Sequence, residues 1–437
     1  MNYDIVIHSG TVITMNSDFD IIENGVVCIE NDKLVKIESL KSDSPFPDGK
    51  TIIDAQGGII LPGLVNTHTH LPMALFRGLA DDLPLSVWLN EHMFPAESKY
   101  ITPESVRIGA LVSCAEMLLS GTTTCCDGYF YEDHVATAVN ETGMRAILGQ
   151  GVVDFPAPGI ADPADNINNA VTFIQNWQNI SPLVTPSIFC HSPYTCSKTT
   201  LKKAKDAANS KGVLFQIHVA ETKDEYIKIQ TDHQTTPVNY LDRLGIIDSK
   251  TLLVHAVWLD DDDIHTIAAR GAGVSHNPES NMKLASGIAP VPSLLKAGIT
   301  VGLGTDGCAS NNNLDLISEM DTAAKLHKVS ALDPTLMDAV TVLKMATIQG
   351  AKSLGLEGIV GSLETGKKAD VIVIDTRKPH LVPVYNPVSH IVYAAQGSDV
   401  RDVIVDGRCL VKDRKLLTID LDNIIEKVIG ISENIKK

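Results

Sequence analysis

His68 and His70 stand two residues apart in the run LVNTHTH. On a β-strand that spacing points both imidazoles to the same face. Three further apolar runs end on groups of the same kind: His218 and Glu221 in GVLFQIHVAE, His255 in TLLVHAVW, and Asp306 in ITVGLGTDG. Three imidazoles and one carboxylate suit a divalent transition metal with one position left open for water. A lone histidine says little, because the chain has 14 of them and a strand-end histidine is commonly a hydrogen-bonded core residue. The signal is that six polar groups fall at the same ends of four separate runs.

These groups act together only if the fold gathers those ends. The middle of the chain alternates apolar, β-branched strands with helical segments. Eight strands are expected at residues 64–70, 122–129, 145–152, 183–192, 212–221, 251–258, 271–278 and 299–307. Most are near-continuous apolar runs, as parallel strands buried on both faces should be. Adjacent Cys125 and Cys126 read as small buried residues of the second strand. Helices lie between, such as SVRIGALVSCAEMLLSG and TLKKAKDAANSKG, the latter stopping on Gly212 as its C-cap. Eight β/α units predict an α/β fold, a (β/α)8 TIM barrel, whose functional groups collect at the C-terminal ends of its strands. Both ends of the chain are instead runs of short strands, and neither has enough residues for a core of its own. We expect residues 1–61 and 366–437 to form one small β-sandwich domain ending in a polar helix, and residues 62–365 to form the metal-dependent barrel.

Composition bounds the function. Hydrophobic residues at 44% supply a large core and exclude a disordered chain. The 36 basic against 53 acidic residues leave a net charge of −17, with no basic run to offset it. Such a chain is repelled by phosphate backbones and anionic lipid, which excludes polymeric nucleic acid and membrane surfaces as partners but admits a single nucleoside. The longest apolar stretch, residues 57–65, falls short of the ~20 residues of a membrane helix. The start MNYDIVIHSG has neither basic nor apolar signal regions, and eight cysteines without a CxxC pattern fit reduced thiols in the cytoplasm.

The segments LPGLVNTHTHLPM, HVAET, LLVHAVWL, VSHNPESNMKLASGIAP, VGLGTDGCASNNNLDL and GSLETGKKADVIVID resemble the amidohydrolase superfamily. They are most similar to its branch that deaminates 5′-methylthioadenosine and S-adenosylhomocysteine. The resemblance runs over essentially the whole chain. It implies that His68, His70, His218 and Asp306 hold one zinc, or in some members iron. It implies that Glu221 protonates the heterocycle and that His255 works with Asp306 on the attacking water. Binuclear relatives carry a carboxylated lysine at the end of strand 4; here that end reads Phe189-Cys190-His191-Ser192, which implies one metal ion. A divalent ion makes hydroxide available near neutral pH.

The same resemblance assigns substrate contacts. In WLNEHMFPAE, Trp88 would pack on the nucleoside and Glu97 would accept hydrogen bonds from both ribose hydroxyls. His191 in CHSPYTC matches a histidine that touches the purine or the sugar. Members that accept S-adenosylhomocysteine hold its carboxylate with arginines after strand 3. Here Gln150 stands where the first is expected, Arg145 lies at the opposite end of the strand, and residues 152–210 contain no arginine. A carboxylate buried without a cation is costly. Phe155-Pro156-Ala157-Pro158 offers an apolar wall instead, so 5′-methylthioadenosine or adenosine is the expected substrate and S-adenosylhomocysteine a poorer one.

Other features are bland. Asp260-Asp261-Asp262-Asp263 suits the N-terminus of a helix. The loop SHNPESNMKLASG is placed to cover the site; His276 within it reads as packing, and Lys283 stays unassigned. Two rivals compete. One is a hydrolase of another amino-heterocycle, such as guanine, an oxidised purine, a pterin or a triazine, which would leave Trp88 and Glu97 without a purpose. The other is a non-catalytic barrel, which should have lost part of the metal set. The sequence leaves association into a homo-oligomer open.

Overall fold

The computed structural model describes residues 2–40 and 46–436. Seventeen strands fall into two sheets among the described residues. The first five are β1 (Asn2–Ile13), β2 (Ile21–Glu30), β3 (Lys33–Ser39), β4 (Asp48–Asp54) and β5 (Ile59–Pro62). Eight follow: β6 (Leu64–Thr69), β7 (Thr122–Tyr129), β8 (Arg145–Val152), β9 (Val184–Cys190), β10 (Phe215–Val219), β11 (Thr251–His255), β12 (Gly273–His276) and β13 (Val301–Leu303). The last four are β14 (Val371–Ile374), β15 (Val400–Val405), β16 (Arg408–Lys412) and β17 (Lys415–Leu416).

Strands β6 to β13 are the eight expected ones, parallel and paired in chain order. The two outermost meet and nearly close the barrel. There the Asp306 N–H donates to the His68 carbonyl at 3.0 Å. The Asn66 side chain accepts from the Thr305 N–H at 3.1 Å and donates to its hydroxyl at 2.8 Å. Glycine at 302 permits this approach, since a Cβ there would lie 2.4 Å from Thr67 Cγ2. Helices pack outside. The one at Pro103–Leu119 starts on a Thr102–Ser105 capping box, and the one at Lys198–Lys211 stops on Gly212 in the left-handed conformation.

Several strands end sooner than their apolar runs. The runs continue to Glu221, Trp258 and Gly307, but the backbone turns left-handed at Ala220, His255 and Asp306 (φ 52, 72 and 62°). The turns come at the residues with chemistry, as strained functional positions often do.

The other nine strands form one mixed sheet from both chain ends, in the order β17-β16-β15-β14-β5-β1-β2-β3. It branches at β1, whose first half pairs with β4 and whose second half pairs with β5 across an irregularity near Gly10. Apolar residues of both branches, among them Ile7, Ile53, Val371 and Val373, share one core as in a sandwich. Arg145, at the start of β8 and buried, ties this sheet to the barrel floor. It reaches Asp370 through two bonds at 3.0 and 3.1 Å and Asp406 at 3.1 Å. The C-terminal helix Leu421–Ile435 differs from the polar one expected. Val428, Ile431 and Ile435 lie against the main core, and the helix rests on Pro103–Leu119.

Candidate active site

At the C-terminal mouth of the barrel, one nitrogen or oxygen from each of His68, His70, His218 and Asp306 lies within 4.8 Å of the others. The Nε2 atoms of His68 and His218 are 3.1 Å apart. Asp306 Oδ1 is 3.5 Å from His68 Nε2 and 3.3 Å from His70 Nε2. His70 Nδ1–H donates to the Gly128 carbonyl at 2.6 Å, which leaves the Nε2 lone pair facing the cluster. Burial pushes the His68 imidazole down to about 3 and lowers His70 and His218 as well, so all three stay neutral at physiological pH. Burial opposes ionisation of Asp306, but the neighbouring His68, His70 and His255 hold its carboxyl well below the usual range. Neutral imidazoles converging on one another and on a carboxylate are the donor set of a divalent metal ion. Strand β9 ends at Cys190 with no lysine beside it.

The free oxygen of Asp306 is tightly held. Oδ2 accepts from the Ser280 and Ser310 hydroxyls at 2.7 and 2.8 Å, and Oδ1 accepts from the Gly307 N–H at 2.8 Å. His255 donates from Nδ1 to Asn281 at 2.9 Å, so its Nε2 faces Glu221, 3.9 Å from Oε2. Burial raises the pKa of Glu221. Ser280 and Asn281 belong to the stretch expected as a covering loop. It is instead a short helix, Pro278–Lys283, with both side chains buried against the site. His276 lies away from the cavity, its Nε2 3.0 Å from that of His327. Lys283 pairs with Asp81 at 2.6 Å and with Asn312. Asp260 caps the helix Asp261–Arg270 through a capping box with Asp263.

A cavity of about 300 Å³ extends from this cluster. Its lining joins His70, His218, Glu221, His255 and Asp306 to Trp88, Glu97, His191 and the wall Phe155-Pro156-Ala157-Pro158, and the His191 ring lies 5.2 Å from that of His218. No lysine or arginine lines it among the described residues. Trp88 starts a wide helical turn that runs into the helix Phe94–Tyr100, which carries Glu97. Glu97 accepts the Tyr129 hydroxyl at 2.5 Å, and burial pushes its carboxyl up to about 7. His191 Nδ1 lies 3.0 Å from Thr195 Oγ1, and burial lowers its pKa to about 4.

Gln150 corrects the sequence reading, because it does not line this cavity. Its side-chain oxygen accepts the Glu132 N–H at 3.3 Å. Alternation along β8 turns Gly149 and Gly151 inward and Gln150 outward. A Cβ at Gly149 would lie 2.8 Å from Gln216 Nε2, and Gly151 lines the cavity. Sequence reasoning missed Tyr129, Ser280, Asn281 and Ser310. The partners of Tyr129, Ser280 and Asn281 are far off in the chain, while Ser310 bonds Asp306 four residues before it; only the position of Tyr129 at the end of β7 hinted at a role.

The amidohydrolase family model matches residues 59–410. Over 436 residues the chain is 47% identical to a 5-methylthioadenosine/S-adenosylhomocysteine deaminase of Syntrophobacter fumaroxidans, covering 99% of this chain and 98% of that one. It is 44% identical to a 5′-deoxyadenosine deaminase of Methanosarcina mazei, covering 99% and 98%. The crystal structure of an adenosine deaminase from Xanthomonas campestris with bound zinc superimposes with a TM-score of 0.97 at 34% identity, covering 100% of this chain and 99% of that one. A family match over most of the chain, the zinc-bound neighbour and the four converging donors agree: this chain belongs to the amidohydrolase family.

Proposed function

We propose that this chain hydrolyses the exocyclic amino group from the adenine ring of an adenosine with a small, uncharged 5′ end, giving the inosine analogue and ammonia. The relatives named for 5′-methylthioadenosine/S-adenosylhomocysteine and for 5′-deoxyadenosine support the ring and the sugar. The observation that carries the choice among them is the cavity, whose lining combines acid, base and metal donors with the Glu97 carboxyl and an apolar wall, with no lysine or arginine among the described residues. A divalent ion held by His68, His70, His218 and Asp306, zinc in this reading, supplies Lewis acidity toward water.

The protein's own groups do the rest. Asp306 and His255 orient the attacking water and take its proton. Glu221, whose pKa burial raises, gives a proton to ring nitrogen N1 as the C6–O bond forms. A second proton reaches the amino nitrogen, the C6–N bond breaks, and ammonia leaves. Trp88 packs on the nucleoside, Glu97 accepts from both ribose hydroxyls, and His191 lies along the purine or sugar. All eight cysteines are free thiols, which suits the cytoplasm.

Ammonia release from adenosine, 5′-methylthioadenosine, 5′-deoxyadenosine, S-adenosylhomocysteine and guanine, at equal sub-saturating concentration, tests the reading. The 5′-methylthio, 5′-deoxy and parent nucleosides should lead. S-adenosylhomocysteine in front would overturn the cation-free argument, and guanine alone would overturn the nucleoside assignment.

A further inference from the structure

Thr222-Lys223-Asp224-Glu225 spells a capping box at the start of the helix Lys223–His233, in which Glu225 should reach back to the Thr222 N–H. Thr222 does its half, accepting from the Glu225 N–H at 3.2 Å. Glu225 does not return the bond. Its buried carboxylate passes Thr222 and accepts from the Ala220 N–H at 2.8 Å through Oε1 and from the Glu221 N–H at 2.9 Å through Oε2. The side chain is diverted from the helix end to the turn that carries Glu221.

That turn is tied to a second one. The Ala220 carbonyl accepts from the N–H groups of Val257 at 3.0 Å and Trp258 at 2.8 Å, and the Val219 carbonyl accepts from Ala256 at 3.1 Å. Ala220, His255 and Ala256 all hold positive φ (52, 72 and 47°), a conformation that side-chain-bearing residues keep only when the surroundings impose it.

We infer that Glu225 is a positioning residue for the deamination proposed above. Its carboxylate fixes the Ala220–Glu221 peptide and, through the Ala220 carbonyl, the His255 turn, so that Glu221 and His255 face each other at 3.9 Å. Two adjacent N–H groups need two acceptor oxygens. Glutamine has one, and its NH2 would confront the second N–H. The inference rests on the deaminase reading for its effect on rate, but not for the bracing itself.

The test compares metal-loaded wild type with Glu225→Gln and Glu225→Ala by steady-state kinetics on 5′-methylthioadenosine, metal content, and amide exchange of the peptide spanning residues 218–222. The expected result is a kcat lower by about 10- to 100-fold. KM should stay within about 3-fold, because the nucleoside contacts sit on other elements. Metal content should be retained and exchange in that peptide should be faster. In a Glu221→Gln background the same Glu225→Gln change should cost clearly less than in the wild type, since one of the two groups it positions is gone. Equal cost in both backgrounds, or an unchanged kcat with only a lower Tm, overturns the inference. A wild type active on nucleosides with unchanged exchange in Glu225→Gln overturns it too, and leaves the function reading intact. An inactive wild type with faster exchange in Glu225→Gln confirms the bracing and overturns the function reading instead.

Discussion

Tyr129 Oη and Glu97 Oε1 lie 2.5 Å apart in the lining of the cavity, with the Tyr129 ring 6.2 Å from that of His70. The phenol donates, so the carboxylate keeps its other oxygen and further lone pairs for a ligand. In the proposed reading this buried acceptor takes the ribose diol, and it should then discriminate strongly against substrates that cannot fill it. Glu97→Ala is expected to lower kcat/KM on nucleosides by about 100-fold, mostly through KM, while any turnover of free adenine changes little. Competitive kinetics with adenosine and adenine checks this.

Holding Glu97 in that place should cost stability. Burial raises its carboxyl to about 7 against an ordinary value of 4.5. As pH rises from 4.5 to 7, the unfolded chain loses this proton and the folded one keeps it, so stability falls across that window and levels off above it. Glu97→Gln should therefore raise Tm at pH 8 by a few degrees while impairing nucleoside binding. Calorimetry at pH 6 and pH 8 should show the larger gain at pH 8.

Asn281 fixes which nitrogen of His255 faces Glu221. Asn281→Leu removes the acceptor at similar volume, so the imidazole can rotate or change tautomer. We expect kcat to fall by about 10- to 100-fold with KM nearly unchanged. Stopped-rate assays under saturating substrate, together with metal analysis, would separate this from metal loss.

Metal removal should be visible without substrate. A chelator is expected to abolish activity and lower Tm, and added zinc should restore Tm in a concentration-dependent way. The stabilisation is about 2.7 kcal/mol at a hundredfold excess over Kd. His218→Ala should show the low Tm from the outset and no zinc response. Mass spectrometry of the purified protein would identify the native ion.

Arg145 offers the contrasting case of a buried charge remote from the chemistry. Arg145→Met leaves Asp370 and Asp406 without their shared cation, which should destabilise the fold by about 3–5 kcal/mol. Because Arg145 sits at the opposite end of β8 from the cavity, kcat of the folded fraction should stay at the wild-type value. Denaturant titration and kinetics on one preparation test both halves.

The metal donors were legible because strand chemistry is local. A period of two aligns His68 with His70, and the barrel's polarity brings the remaining ligands to the same rim. The eight strands were legible for the same reason: burial on both faces writes itself as an apolar run. The same periodicity, followed one residue further, would have turned Gln150 outward; matching by position in a motif hid that. Asn281 could not be read, because its meaning depends on a contact with His255, 26 residues away, that only the fold creates; Ser310 bonds Asp306 only four residues before it, but nothing in its residue type marked that turn. Thr222 and Glu225 show a subtler gap. Their spacing announces a helix start correctly, yet the carboxylate spends its bonds on the preceding turn.

The placement of β5 carries a consequence for how this chain is made. Its four residues are buried between β1 and β14, yet β14 begins at Val371, about three hundred residues downstream. On a ribosome, the barrel strands emerge while one edge of Ile59–Pro62 still lacks its neighbour. That apolar edge is a template for pairing with another chain until the late strand arrives. Translation speed after residue 62, or a chaperone able to shield a short β edge, should therefore govern the yield of soluble protein more than the strength of the finished barrel does.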